Sequence, residues 1–306
     1  MKRGFTWIEL LAVIAIVAIL LAIFVPYISA LRENANRSLC ADHLRQLRTA
    51  LQDYAQDNEN LYPRTIYDPA LDRCGYTAFT GVYAANPFQP VPSTRPTTRG
   101  TTAAASLPAF FPPGSVQPSD VTASLWLLVR GGYVTDLKLF LCPSAGGVPD
   151  IFQRGQARSN FRRAINLGYS YASPFSGASG YRFSSDALEG GFALMADINP
   201  GTAASVPFDA SPEELARGNS PNHGGAGQNV LFADGSVAFE STPYCGFGFD
   251  PDQHVAGDNI FTALAPAPLE HGNSPFGAGN GFVGHQYGPS YRSDSYLVPV
   301  AGEGPP

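Results

Sequence analysis

The N-terminal segment of the chain is dominated by one long apolar run. Lys2, Arg3 and Glu9 precede 22 residues, Leu10–Leu31, that carry no charge. About 20 apolar residues are enough for a helix to cross the hydrocarbon core of a bilayer. The pattern therefore predicts one membrane-spanning helix. A cleavable secretory signal, cut after Ala30, is the alternative that the same pattern allows.

From Tyr27 to Asn58 the pattern becomes amphipathic. Apolar residues recur every three or four positions, which is typical of a helix with one buried face. We expect one continuous helix from Phe5 to Asn58, about 80 Å long, with a kink or local opening at Pro26, because proline removes a backbone donor. The helical unit is assigned to residues 5–61. Its predicted buried face consists of Ile28, Leu31, Ala35, Leu39, Leu44, Leu47, Leu51 and Tyr54.

After Tyr62 the helical period disappears, and short apolar runs alternate with Gly and Pro. This pattern predicts an α+β fold in which the long helix packs on a mainly antiparallel β head, residues 62–306. Residues 80–117 are rich in Pro, Thr and Ala, so we expect a surface insertion there.

Local signals place several elements within the head. Ser119 and Asp120 precede the segment VTASLWLLVRGGY and mark a predicted helix start, and the pair Gly131-Gly132 marks its end. Ser211, Pro212 and Glu214 form the pattern of a capping box with a first-turn proline. Between the apolar runs 230–233 and 236–239, the pair Asp234-Gly235 predicts a two-residue hairpin with a type I′ turn.

Composition, charge and motifs argue against two classes of protein, nucleic-acid-binding proteins and enzymes. Only 14% of the residues are charged, against a typical quarter. Residues 218–306 contain eight acids and one base, a net charge of −7, and the chain has no cluster of basic residues of the kind that binds phosphates. We therefore expect no nucleic-acid partner. The chain contains no G-x-S-x-G, H-E-x-x-H or phosphate-binding glycine motif, so we expect no enzymatic activity.

Glu9 adds a specific signal to the membrane segment. A carboxylate at the start of an apolar helix costs free energy in lipid, so its presence there indicates a function. The segment Gly4–Leu11, GFTWIELL, resembles the processing site of type IV pilins and type II secretion pseudopilins, with Trp7 in place of the usual leucine.

This resemblance implies a processing pathway and a set of partners. Residues 1–4 would be a leader that a membrane prepilin peptidase removes after Gly4, and the new terminus, Phe5, would be N-methylated. Glu9 would remain in the membrane and pair with the amine of Phe5 on a neighbouring subunit. The implied partners are copies of the chain or related pilins, the peptidase and methyltransferase, and an inner-membrane assembly platform.

The head resembles a narrower group, the large planctomycete-type prepilin-like proteins, which carry a C-terminal His-x9-Asp-Gly motif. The segments that carry the resemblance are LFLCPS (139–144), GYSYA (168–172), ALMADINP (193–200) and HGGAGQNVLFADGSV (223–237). In this chain ten residues, rather than nine, separate His223 from Asp234, which precedes Gly235. Turn formation by Asp234 and Gly235 is the simpler interpretation. The alternatives are that His223 clamps the hairpin or that Asp234 binds a cation.

The chain has four cysteines, Cys40, Cys74, Cys142 and Cys245, and no CxxC pair. The spacing argues against zinc. Disulfides persist in the periplasm, and four cysteines allow three pairings among which the sequence does not choose. Cys40 and Cys142 are landmarks of the resembled family, and on that basis we favour a bridge from the helix to the head.

Calcium is the one cofactor for which the sequence offers candidate ligands. The resemblance to major pseudopilins implies a calcium site in a C-terminal loop. The best local candidates for its oxygen donors are Asp250, Asp252, Asp258 and Asn259, and a flexible loop with several oxygens suits this hard cation.

The sequence thus predicts a structural prepilin or pseudopilin subunit. The protein would be a single-pass protein of the inner membrane with its head in the periplasm, and would then enter a periplasmic pseudopilus or an extracellular pilus. The alternative is an exported binding or adhesion protein that uses a pilin-like helix only as an anchor.

Overall fold

The computed structural model describes residues 7–65, 67, 77–80, 82, 116–153, 158–176, 180–248, 257–263 and 294–301. Within this part of the chain the dominant element is α1 (Trp7–Asp57), a helix of 51 residues that continues through Pro26. At 1.5 Å per residue α1 is about 77 Å long. After α1, Glu59 and Asn60 adopt φ angles of 55° and 65°, and this left-handed backbone ends the helix near the predicted position.

The two halves of α1 have different surroundings. The apolar side chains from Trp7 to Leu31 are exposed, whereas a stripe that begins at Cys40 is buried beneath the head. The predicted buried face is therefore confirmed at Leu44, Leu47 and Leu51. It is wrong at Ile28, Leu31 and Leu39, which are 44%, 50% and 49% exposed. It is also wrong at Ala35, which is exposed. The reason is that the head covers only the C-terminal part of the helix. The buried residues of α1 are Cys40, Leu44, Leu47, Ala50, Leu51 and Ala55.

The described part of the head contains one five-stranded sheet in which every neighbouring pair is antiparallel. Its strands lie in the order β4-β3-β2-β1-β5, and α1 packs against β3 and β4. The predicted α+β class, a long helix on an antiparallel head, is confirmed. The strands are β1 (Tyr169–Ala172), β2 (Ala193–Asp197), β3 (Gln228–Phe232), β4 (Val237–Glu240) and β5 (Leu297–Val298).

Both predicted short helices are present. Asp120 caps α2 (Val121–Arg130) by accepting a hydrogen bond from Ala123 N at 2.7 Å. In α3 (Pro212–Arg217), Ser211 and Glu214 form the expected capping box. The described part of the head also contains 3₁₀ turns at Leu137–Phe140, Ala164–Asn166, Gly201–Ala204 and Asn222–Gly225.

The predicted type I′ turn between β3 and β4 is wrong. The N–H of Gly235 donates to Phe232 O at 2.9 Å, and the N–H of Phe232 donates to Ser236 O at 2.9 Å, so the loop has three residues, 233–235. A type I′ turn requires a positive φ at two central residues. Here only Gly235 has one, at 87°, because the Asp234 carboxylate accepts from Ser236 N and fixes a different local turn.

Most of the predicted insertion, including residues 83–115, lies outside the described residues. Its two ends, however, meet at one point. The N–H of Gln117 donates to Thr80 Oγ1 at 2.8 Å, and the Thr80 N–H and hydroxyl both donate to Asp120 Oδ2. Asp120, the buried residue that caps α2, therefore also fixes the two ends of the predicted insertion.

Candidate functional site at the membrane helix and the helix–head junction

The N-terminal part of α1 is the first candidate site. Glu9 lies in the first turn of the helix, beside Trp7 and Ile8, which are each 76% exposed. Gly4 and Phe5, the predicted processing residues, lie outside the described residues. The structure thus shows the helical setting of Glu9, and cleavage and methylation stay predictions.

The helix itself is long and apolar enough to cross a membrane. None of the residues in its most apolar window is buried within the molecule, which distinguishes it from the core helix of a soluble domain. An exposed surface of this kind requires lipid or other protein chains to cover it.

The second candidate site is a polar cluster where α1 meets the head. Ligand-type atoms of Cys40, Cys142, Asp197 and His223 all lie within 4.8 Å of one another, and the four residues are buried. They come from α1, from the loop after the Leu137–Phe140 turn, from the end of β2 and from the Asn222–Gly225 turn. We call these four residues the junction cluster.

The backbone around His223 and Cys142 explains how the side chains meet. His223 has φ 58° and ψ 25°, and Gly224 continues in the left-handed region with φ 67°. Such a conformation is uncommon outside glycine and costs free energy that the surrounding contacts must supply. Near Cys142, a Cβ atom at Gly168 would lie 2.5 Å from Cys142 N, so only glycine permits this close approach.

Both ring nitrogens of His223 have acidic or sulfur neighbours. Nδ1 lies 2.6 Å from Glu33 Oε1 on α1. Nε2 lies 3.2 Å from Asp197 Oδ2 and 3.5 Å from Cys142 Sγ. The His223 ring also packs edge-on against Phe239 of β4, with the centroids 5.9 Å apart. His223 therefore joins the helix to the sheet.

Asp197 is fully buried, and its carboxylate is held from the head. Oδ2 accepts from Asn229 N at 2.7 Å and from Asn229 Nδ2 at 3.2 Å, while Oδ1 accepts from Asn222 Nδ2 at 3.1 Å. These bonds satisfy much of the hydrogen-bonding capacity of a charged group that has no access to water.

The cluster strongly perturbs the acidity of its members. Burial disfavours the charged imidazole, but hydrogen bonds with Asp197 and Cys40 outweigh this and raise the pKa of His223 to about 10. The hydrogen bond with Cys142 lowers the pKa of Cys40 to about 7, and the same bond, together with burial, raises the pKa of Cys142.

The structure does not join His223 to Asp234. The Asp234 carboxylate accepts hydrogen bonds from Ser236 N and Ser236 Oγ, each at 2.7 Å, and this confirms the turn interpretation of Asp234. Gly235 lies against the guanidinium of Arg48 on α1. The hairpin therefore contacts the helix through its glycine, while His223 contacts the strands through Asn229 and Phe239.

The structure describes three of the four cysteines. Cys40, Cys142 and Cys245 are buried free thiols, and the first two are neighbours in the junction cluster. Cys245 lies elsewhere, with Sγ 3.9 Å from Pro243 O. Cys74 lies outside the described residues. The favoured pairing of helix and head cysteines stays a prediction that their proximity supports.

Of the candidate calcium ligands, Asp250 and Asp252 lie outside the described residues. Asp258 is buried and accepts from Ser295 N at 2.7 Å. Asn259 donates to Ala204 O at 3.0 Å and accepts from Phe261 N at 3.1 Å. These two side chains tie head segments together, and calcium stays a prediction.

Sequence reasoning missed two members of the junction. Asp197 lies in the segment ALMADINP, whose resemblance to the prepilin-like group does not single out its acid. Glu33 is one of several charged residues of α1, and the sequence pattern does not distinguish it from the others. Its only signal is its position one helical turn before Arg37, whose Nε lies 3.6 Å from Glu33 Oε1.

The described architecture, a long half-exposed helix on an antiparallel sheet, is pilin-like in arrangement. The chain is 38% identical to the type II secretion system core protein G of Pectobacterium carotovorum subsp. carotovorum over 64 residues. That match covers 21% of this chain and 40% of the relative, so it spans less than half of the relative's length. No family model and no solved structure matches the chain.

Proposed function

We propose that this protein is a structural subunit of a type II secretion pseudopilus or a type IV pilus-like filament. It would be processed after Gly4, N-methylated at Phe5 and polymerised. The observation that carries the proposal is the division of α1, which is exposed and apolar up to Leu31 and buried under the head from Cys40 onward. A plain membrane anchor needs the first part only.

The exposed part of α1 suits packing between copies. Ile28 and Leu31 lie at the C-terminal end of the uncharged segment Leu10–Leu31, and Leu39 lies beyond it. All three side chains are 44% to 50% exposed. In a filament, the same helices of neighbouring subunits would cover these side chains. The gain from such burial, about 25 cal/mol per Å² of apolar surface, favours assembly.

Glu9 would set the register of assembly. A carboxylate in lipid is stabilised when a cation neutralises it, and the terminal amine of Phe5 on an adjacent subunit is the cation that processing creates. This role requires that cleavage occur before polymerisation.

In this proposal the protein is held in the inner membrane with its head in the periplasm until assembly. Its partners are other pilin-like subunits, the peptidase and methyltransferase, and the assembly platform. We also propose that it has no catalytic activity. The junction cluster, whose two thiols have perturbed pKa values, is buried, and this burial supports a structural role.

Replacement of Glu9 tests the proposal. In the native host, Glu9→Ala should be processed and retained in the membrane but should yield no filaments in the sheared or periplasmic fraction. Glu213→Ala, which removes an exposed acid of α3, is the matched control and should assemble normally. Normal filaments from Glu9→Ala would show that the helix serves as an anchor alone.

A further inference from the structure

The junction cluster presents four atoms of the kinds that zinc prefers. Two thiol sulfurs, one imidazole nitrogen and one carboxylate oxygen converge from four segments of the chain within 4.8 Å of one another. Cysteine, histidine and aspartate are the usual protein ligands of Zn²⁺, and structural zinc sites have four of them in tetrahedral geometry. The donor set is therefore complete without water.

The separations fit such a site. With zinc bonds of about 2.3 Å to sulfur and about 2.0–2.1 Å to nitrogen or oxygen, ligand atoms in a tetrahedron are about 3.3–3.8 Å apart. Nε2 of His223 lies 3.2 Å from Asp197 Oδ2 and 3.5 Å from Cys142 Sγ. These two separations match a tetrahedral site, while separations of up to 4.8 Å in the cluster would close by about 1 Å when a cation binds.

The ligands are also oriented as metal ligands are. A metal-binding histidine almost always donates its second ring N–H to a carboxylate or carbonyl, which fixes the ring and its tautomer. Nδ1 of His223 lies 2.6 Å from Glu33 Oε1, so Nε2 faces the cluster. Asn229 and Asn222 hold the Asp197 carboxylate in the same way.

Charge and burial give the third argument. The carboxylate of Asp197 is fully buried beside the two thiols and the imidazole, and burial of a carboxylate costs free energy unless it is paired. A divalent cation would pair with this carboxylate, and its binding would release the thiol protons. A disulfide between Cys40 and Cys142 would also cross-link the helix and head, but it would give no role to a buried carboxylate and an imidazole that face the sulfurs.

We propose that Cys40, Cys142, Asp197 and His223 bind one Zn²⁺ ion as a closed structural site, with Glu33 as the positioning residue of His223. The site clamps α1 to three segments of the head. The absence of a CxxC pair does not exclude it, since the fold brings together ligands that are far apart in sequence. The inference does not depend on filament assembly, because it concerns the docking of helix and head within one chain.

The first test uses the full chain, purified in detergent without reductant or added metal. We expect one zinc per chain by elemental analysis. Cys40 and Cys142 should resist alkylation until a chelator removes the metal, and two thiols should then react for each zinc released. Recovery of a Cys40–Cys142 disulfide peptide from the same preparation, or alkylation of both thiols without metal release, would overturn the proposal.

Variants separate this site from adventitious zinc. Cys142→Ser and His223→Ala should lose the bound zinc, whereas Cys245→Ser, which alters a buried cysteine outside the cluster, should keep it. Glu33→Gln should keep all four ligands but weaken zinc binding about 10- to 100-fold.

With Co²⁺ in place of zinc, the wild type should show sulfur-to-metal charge-transfer absorption that Cys142→Ser lacks. Zinc content that is equal in all of these variants would mean adventitious binding and would refute the site. If Cys142→Ser does not fold, the alkylation experiment on the wild type and the Glu33→Gln titration decide the question.

Discussion

Nδ1 of His223 lies 2.6 Å from Oε1 of Glu33, a residue 190 positions earlier in the chain. This contact connects a strained turn of the head to the first turn of α1 after the uncharged segment Leu10–Leu31. The ring of His223 is fully buried, whereas the Glu33 side chain is 30% exposed. The contact between Glu33 and His223 therefore helps to fix the position of the head on α1.

Glu33→Ala should destabilise the docking of the head on α1. It removes a charge-assisted hydrogen bond from a buried ring, for which we expect a loss of about 1.5–3 kcal/mol in the free energy of unfolding. Chemical denaturation of the chain in detergent measures it. Asp42→Ala, which breaks an exposed pair with Arg45 on the same helix, is the control and should cost less than about 1 kcal/mol. Equal effects of the two changes would mean that the junction adds no stability.

Loss of the buried ion pair of Asp150 and Arg158 should lower the free energy of unfolding far more than loss of an exposed ion pair. The side chains are 2% and 4% exposed, and the Arg158 guanidinium lies 4.4 Å from the centre of the Trp126 ring. Asp150→Ala would leave an uncompensated buried charge, which typically costs about 3–5 kcal/mol. Asp186→Ala provides the exposed counterpart, since Asp186 and Arg182 are 43% and 55% exposed. Denaturation midpoints that agree between the two variants would contradict this ranking.

Gly235 should tolerate alanine less well than Gly132 does. Both have left-handed backbones, with φ angles of 87° and 81°, so alanine at either position should cost about 1–2 kcal/mol from the backbone alone. A Cβ at Gly132 meets no atom within 4 Å, while one at Gly235 would collide with the Arg48 guanidinium on α1. The difference in thermal midpoint between Gly235→Ala and Gly132→Ala isolates the contact of hairpin and helix. No difference would show that Arg48 moves aside without cost.

The elements that local patterns specify were predicted well. The uncharged run and the amphipathic period predicted one continuous helix that ends at Asn58, one residue from the observed end at Asp57. The caps at Asp120 and Ser211 are short-range signals. The hairpin position was right, but its loop was wrong, because the Asp234 side chain bonds Ser236 and leaves Gly235 alone with a positive φ. Turn type depends on such side-chain bonds, which the dipeptide alone does not specify.

Tertiary contacts set the remainder. The buried face of α1 begins at Cys40 rather than Ile28, because the extent of the head decides which part of a uniform helical pattern is covered. The complete junction cluster was not predicted for the same reason, since Cys142 and His223 are 81 residues apart and meet only in the folded head. The family resemblance favoured contact between Cys40 and Cys142, but it did not place Asp197 and His223 beside them.

The mass of the mature N-terminus tests the central claim most directly. N-terminal peptide analysis of the chain from membranes of its native host should find N-methylated Phe5 as the first residue, because the proposed pathway removes residues 1–4 and keeps the whole of α1. A chain that begins near Leu31, after cleavage of a secretory signal, or one that retains Met1, would contradict the account.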